Sequence, residues 1–140
     1  MLPINYLAVL VAALANFVIG FLMHGPVLGK TWMKLANVTP TGNEKFSDMY
    51  GQMFWNFLSN VVFAYVLAMV YLFASTSSVI TDGGGVWCGV ATAFFVWLGF
   101  VVTSSSLEVI WMKRSVKLWM FELFSSLLSI LAMGAIIGAW

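Results

Sequence analysis

Four long apolar runs, at residues 4–23, 53–73, 86–105 and 118–139, dominate this sequence of 140 residues. Each run has 20 to 22 residues and at most one charged side chain. A helix of that length crosses a hydrocarbon layer of roughly 30 Å. Membrane-barrel strands alternate apolar and polar residues, whereas these runs are apolar on every side. The pattern therefore predicts an all-α integral membrane protein in which residues 1–140 form one domain of four transmembrane helices.

The composition excludes several classes of function. Charged residues make up 8% of the chain, far below the roughly 25% of soluble domains, so no soluble domain is expected. A formal net charge of +1 gives no basic surface for nucleic acid. Cys88 is the only cysteine and His24 the only histidine, which leaves no clustered metal ligands. We expect no cofactor, no metal, no catalytic residues and no nucleic-acid partner; the expected partner is the lipid bilayer.

The basic residues predict the orientation in the membrane. All of them lie in the first and third loops: Lys30, Lys34, Lys45, Lys113, Arg114 and Lys117. By the positive-inside rule these loops are cytoplasmic and both termini are outside, as in a multi-pass protein of the cytoplasmic (plasma) membrane. The tryptophans expected to anchor the helices at the two interfaces are Trp32, Trp111, Trp119 and, on the outer side, Trp140.

Two local patterns predict structure in the first loop. Gly25 and Pro26 end the first span, and apolar residues then recur at helical spacing at Leu28, Trp32 and Leu35, which predicts a short interfacial helix. Thr41 and Glu44 have the spacing of a capping box, so the second helix is expected to begin near Gly42.

Small residues recur at four-residue spacing along the spans and predict close helix packing. The glycines in these rows are Gly20, Gly85, Gly89, Gly134 and Gly138. Most of them are expected inside a four-helix bundle. The face formed by Gly134 and Gly138 is the candidate for contact between subunits, which predicts a homo-oligomer or a subunit of a larger membrane complex.

Polar residues inside the spans are the candidate binding or lining residues. Asn16 and Asn60 are expected to form hydrogen bonds across helices. Glu122, with Ser126 one turn further, is either a proton or cation site in a cytoplasm-facing cavity or an interfacial ion pair. Its expected partners are Lys113, Lys117, His24 or a proton of its own. His24 is expected at the interface, and Glu108 is expected to pair with nearby lysines.

The run from Gly20 to Met33 carries a family resemblance. Its sequence, GFLMHGPVLGKTWM, resembles the G-x-L-W-Y-G-P-x-x-G-K-x-W-M run of the membrane family known as domain of unknown function 1761. Residues 5–8, 99–101 and 133–140 are also similar to that family, so the resemblance extends over the whole chain. It implies a four-helix membrane protein and assigns no catalytic residue.

Three classes of function remain at this point. The first is a self-associating or accessory structural membrane subunit, which the small-residue rows favour. The second is an oligomeric small channel or carrier with a polar lining from Asn16, Asn60, Glu122 and Ser126. The third is a lipid- or quinone-active membrane enzyme that uses His24, Glu108 and Glu122, and the sequence favours it least.

Overall fold

The computed structural model describes residues 3–43, 46–77 and 83–140, and within these ranges it contains helices and no strands. Four helices are long and apolar enough to cross a membrane, which confirms the predicted all-α membrane fold. They are α1 (Tyr6–His24), α3 (Tyr50–Ser77), α4 (Val86–Met112) and α5 (Val116–Ala139). A short helix, α2 (Gly29–Ala36), follows α1, and a 3₁₀ turn (Phe46–Met49) precedes α3.

The predicted start of the second span is wrong. Gly42 has a φ of +73°, a left-handed conformation that cannot form the first turn of a right-handed helix. Among the described residues after α2, the first helical element is the 3₁₀ turn Phe46–Met49. Glu44, which the capping box requires, lies outside the described residues. Residues 37–43 are therefore non-helical and do not lengthen α3.

The third span extends to Met112, well past its predicted end at Ser105. The hydroxyl groups of its polar residues donate to carbonyl groups about one turn earlier, so these residues are accommodated within the helix. Thr103 donates to Gly99 O at 2.6 Å, and Ser106 donates to Thr103 O at 2.7 Å. The polarity that suggested a helix end is thus satisfied within the helix.

The segment between α4 and α5 is a tight turn. Lys113 adopts a left-handed conformation with a φ of 52° and caps α4 by donating its backbone N–H to Glu108 O. The backbone N–H of Arg114 donates to the same carbonyl at 3.3 Å. Because α5 begins at Val116, this turn brings the ends of the two helices together and places Arg114 between them.

Direct backbone contact joins α4 and α5 at the end of the bundle that carries the chain termini, which we call the terminal end. A Cβ atom at Gly138 would lie 2.5 Å from Gly85 O, and Gly89 and Gly134 approach each other even more closely. The prediction that Gly134 and Gly138 form a subunit interface is therefore wrong, because α4 of the same chain covers that face. Four of the predicted packing glycines take part in this contact.

Gly20 does not follow the packing prediction. A Cβ atom built on Gly20 would meet no atom within 4 Å, so this glycine does not serve a close approach between helices. We call the end of the bundle that carries α2 and residues 113–115 the basic-loop end. Gly20 lies in the part of α1 that is closer to this end.

The buried core is confined largely to the terminal half of the bundle. Its central members are Ala12, Ala13, Ala64, Leu67, Ala93 and Met133. In contrast, no side chain of α3 before Ala64 is buried, and none of α4 after Ala93 is buried. The helices are thus packed tightly at the terminal end and leave space between them at the basic-loop end.

The contact between α4 and α5 predicts a stability difference between two glycine substitutions. Gly134→Ala should lower the free energy of unfolding by about 1–3 kcal/mol, because the new methyl group overlaps Gly89 and Ala93. Gly51→Ala is the matched control, since a Cβ atom there meets open space. Denaturant unfolding of both variants in micelles measures the difference, and equal stabilities would contradict the packing described here.

Candidate functional site

A cleft of about 580 Å³ lies in the basic-loop half of the bundle. Its walls come from α1, α3 and α5, with Trp32 of α2 and Met49 at one end. The volume falls within the range of small-molecule binding sites. His24, Gly25 and Met49 at its edge are exposed, whereas Ser129 at its inner end is buried. The cleft therefore runs from the basic-loop end of the protein into the middle of the bundle.

The cleft brings together most of the predicted site residues. Asn16, His24, Asn60, Glu122 and Ser126 all line it. Glu108 does not line the cleft; it lies near the end of α4. Further polar residues of the walls are Gln52, Asn56, Ser125 and Ser129. Sequence reasoning missed Gln52, although Gln52, Asn56 and Asn60 have the four-residue spacing of a single helix face.

Three asparagine side chains form a chain of hydrogen bonds along one wall. Asn16 Nδ2 donates to Asn60 Oδ1 at 2.9 Å, which is the bond across helices expected from the sequence. Asn60 Nδ2 donates in turn to Asn56 Oδ1 at 3.4 Å. Beside them, Phe17 and Phe57 meet edge to face with ring centroids 5.8 Å apart. Polar and aromatic contacts thus hold α1 against α3 at the inner end of the cleft.

Arg114 binds both glutamates, which corrects the partners expected from the sequence. Its Nη2 donates to Glu122 Oε1 at 2.9 Å, and its Nη1 forms an ion pair with Glu108. Among the described residues, Lys113 and Lys117 form no salt bridge with either carboxylate. The planar guanidinium of Arg114 instead donates in two directions at once. The tight turn after α4 places Arg114 between the two helices. Sequence spacing alone did not reveal that placement.

The edge of the cleft is aromatic. The Nδ1–H of His24 donates to Gly20 O at 3.0 Å, so in the neutral ring Nε2 is the acceptor. The imidazole ring meets Trp32 and Phe121 edge to face, with centroids 5.6 and 5.9 Å away. Because Gly20 has no side chain, the space next to this ring cluster stays open.

The tryptophans predicted as anchors have different surroundings. Trp119 Nε1 donates to Ser105 Oγ at 2.9 Å and links α5 to α4, and Trp32 lines the cleft. Trp111 and Trp140 are exposed, at 79% and 59%. Their role as interfacial anchors stays a prediction.

The hydroxyl groups of the cleft are largely engaged within the protein. Ser126 Oγ accepts a hydrogen bond from Trp97 Nε1 at 3.0 Å and donates to Leu123 O. Ser129 donates to Ser125 O. Among the described residues no group of three His, Cys, Asp or Glu side chains could hold a metal ion. The arrangement can therefore bind a solute through amides, hydroxyl oxygens and one carboxylate.

A family model described as protein of unknown function (DUF1761) matches residues 7–138. The chain belongs to the DUF1761 family. This match confirms the resemblance carried by the run from Gly20 to Met33. No curated protein and no solved structure matches the chain. In this DUF1761 protein the run that carries the resemblance also supplies Gly20, His24 and Trp32 to the edge of the cleft.

The hydrogen bond between Asn16 and Asn60 predicts a measurable coupling in this DUF1761 protein. In a double-mutant cycle, the two alanine substitutions should be non-additive by about 0.5–1.5 kcal/mol, because each single change already removes the shared bond. Unfolding in micelles gives the four free energies. The control cycle pairs Asn16→Ala with Ser59→Ala, whose hydroxyl donates only to Trp55 O of its own helix. A coupling equal to that of the control would contradict the bond.

Proposed function

We propose that this DUF1761 protein is a small membrane carrier that binds a polar solute in the cleft between α1, α3 and α5. The observation that carries the proposal is the convergence of polar side chains from three spanning helices on one cleft. Polar groups inside a membrane protein are costly and mark solute pathways. The buried core at the terminal end supports a site that is reached from the basic-loop end.

The proposal includes an orientation and a location. The basic loops face the cytoplasm, the termini face the outside, and the protein resides in the cytoplasmic (plasma) membrane, as the distribution of lysine and arginine favours. In this orientation the cleft faces the cytoplasm. Helix α2 then lies at the cytoplasmic interface, with Trp32 near the headgroups.

A self-associating structural subunit has less support than the sequence suggested. Its main argument was a small-residue face available to a second copy, and α4 occupies that face within the chain. Contact with other subunits through the remaining helix faces stays a prediction. A lipid- or quinone-active enzyme also has less support, because Glu108 lies outside the cleft that holds His24 and Glu122.

Transport by the cleft can be tested by filling it. Proteoliposomes with the full chain are incubated with a panel of sugars, amino acids, amines and carboxylates, and trapped solutes are identified by mass spectrometry. We expect at least one solute to enter faster than in empty liposomes. Gly20→Leu should slow its entry by roughly tenfold or more, equivalent to about 1.4 kcal/mol of lost binding, because the leucine occupies the cleft.

The matched control for Gly20→Leu is Gly99→Leu. Gly99 also has open space around it, but α4 contributes no residue to the cleft. Its rate should equal that of the natural chain. The carrier proposal is overturned if no panel member enters above the empty liposomes, or if Gly20→Leu transports as well as its control.

The orientation can be tested by labelling single cysteines. In a Cys88→Ala background, Ser115→Cys lies in the turn between α4 and α5, and Ser77→Cys lies at the terminal end of α3. In intact cells a membrane-impermeant maleimide should label the second variant and not the first, and after lysis it should label both. The reverse pattern in intact cells would contradict the proposed orientation.

A further inference from the structure

The fixed charges beside the cleft do not balance. Two carboxylates, those of Glu108 and Glu122, share the single guanidinium of Arg114, so the three side chains carry one surplus negative charge. Glu122 is the member that lines the cleft. Arg114 does not line it, and its two Nη atoms already donate to carboxylates. The charge presented to the cleft is therefore negative.

The surrounding cations do not cancel this surplus from inside the cleft. Lys113 and Lys117 are the lysines closest in sequence to Arg114 and Glu122. Both are exposed at the basic-loop end, and neither lines the cleft. The side chain of Glu122 is 31% exposed, so salt screens its charge less than the charge of a fully exposed lysine. An anion would meet Glu122 with no lysine or arginine among the lining residues to bind it.

The aromatic side chains suit a cation as well as an apolar group. Phe17, Phe21 and Trp32 all line the cleft, and the faces of such rings attract organic cations. The amides of Gln52 and Asn56 add hydrogen-bonding groups on the opposite wall. A metal ion is a poor match, because the described residues hold no cluster of ligands for one.

We infer that the solute bound in the cleft is a monovalent organic ammonium ion whose charge is balanced by the surplus negative charge of Glu108, Arg114 and Glu122. This inference rests on the proposed function and names the chemical class of its solute. The ammonium group lies toward Glu122, and its organic substituents contact the aromatic edge near Trp32. Glu122 contacts the solute, and Glu108 and Arg114 set the charge that Glu122 presents.

The test uses three probes of similar shape and different charge. Choline is the cation, 3,3-dimethylbutan-1-ol is its neutral isostere, and 3,3-dimethylbutanoate is the anion. Binding of each to the full chain in lipid nanodiscs is measured by titration calorimetry. We expect choline to bind at least about tenfold more tightly than the alcohol, and the anion to bind most weakly, because only choline neutralises the surplus charge.

Three variants separate the charge effect from a structural one. Glu122→Gln and Glu108→Gln each remove the surplus, so both should weaken choline binding, the first by about tenfold or more. Arg114→Gln raises the surplus to two and should strengthen choline binding. Loss of structure alone would weaken binding in all three variants. The helical content and thermal unfolding of each variant, measured by circular dichroism, serve as the control for folding.

The outcomes distinguish failure of the ammonium inference from failure of the carrier proposal. The inference is overturned if choline does not bind, if choline and the alcohol bind equally, or if the anion binds most tightly. If the solute panel then shows entry of neutral solutes only, the carrier proposal still stands and the ammonium inference does not. If choline binds with the expected variant effects but nothing enters proteoliposomes, the cation site stands and transport does not.

Discussion

Backbone contact between α4 and α5 is the interaction on which the rest of the bundle depends. In lipid there is no hydrophobic drive between apolar helices, so close van der Waals approach and hydrogen bonds must hold them together. Gly85, Gly89, Gly134 and Gly138 provide that approach at the terminal end. Because the bundle is secured there, its basic-loop half can hold an open cleft without losing the fold.

The polar walls of the cleft are compatible with the membrane because their groups are partly paired before any solute binds. The asparagine chain uses the amides of Asn16, Asn60 and Asn56 on one another, and Arg114 engages both carboxylates. Such pairing lowers the cost of placing polar groups away from water. The pairing is incomplete in charge, since two carboxylates share one guanidinium, and the proposed preference for a cation rests on this imbalance.

Sequence reasoning predicted the helices and five of the polar residues that line the cleft, because apolar length and polar residues inside spans are local signals. It failed where tertiary structure decided the outcome. The four-residue spacing of Gly134 and Gly138 indicates close helix packing, but it does not say whether the partner helix belongs to the same chain or to another subunit. The same spacing also suggested a packing role for Gly20, where an added Cβ atom would have no atom of another helix within 4 Å. Arg114 was missed as the ion-pair partner because a left-handed residue, Lys113, redirects the chain just before it.

The segment Trp97–Val102 of α4 is π-helical, and this conformation affects which helices can move relative to the others. In an α-helix, residues four apart rotate by about 40° per step, so a row of them drifts around the axis. The wider π turn offsets this drift: Trp97 still reaches Ser126, Val101 packs on the core, and Ser105 still reaches Trp119. The two helices are thereby fastened along most of their length as one pair, so widening or narrowing of the cleft falls to its other two walls, α1 and α3.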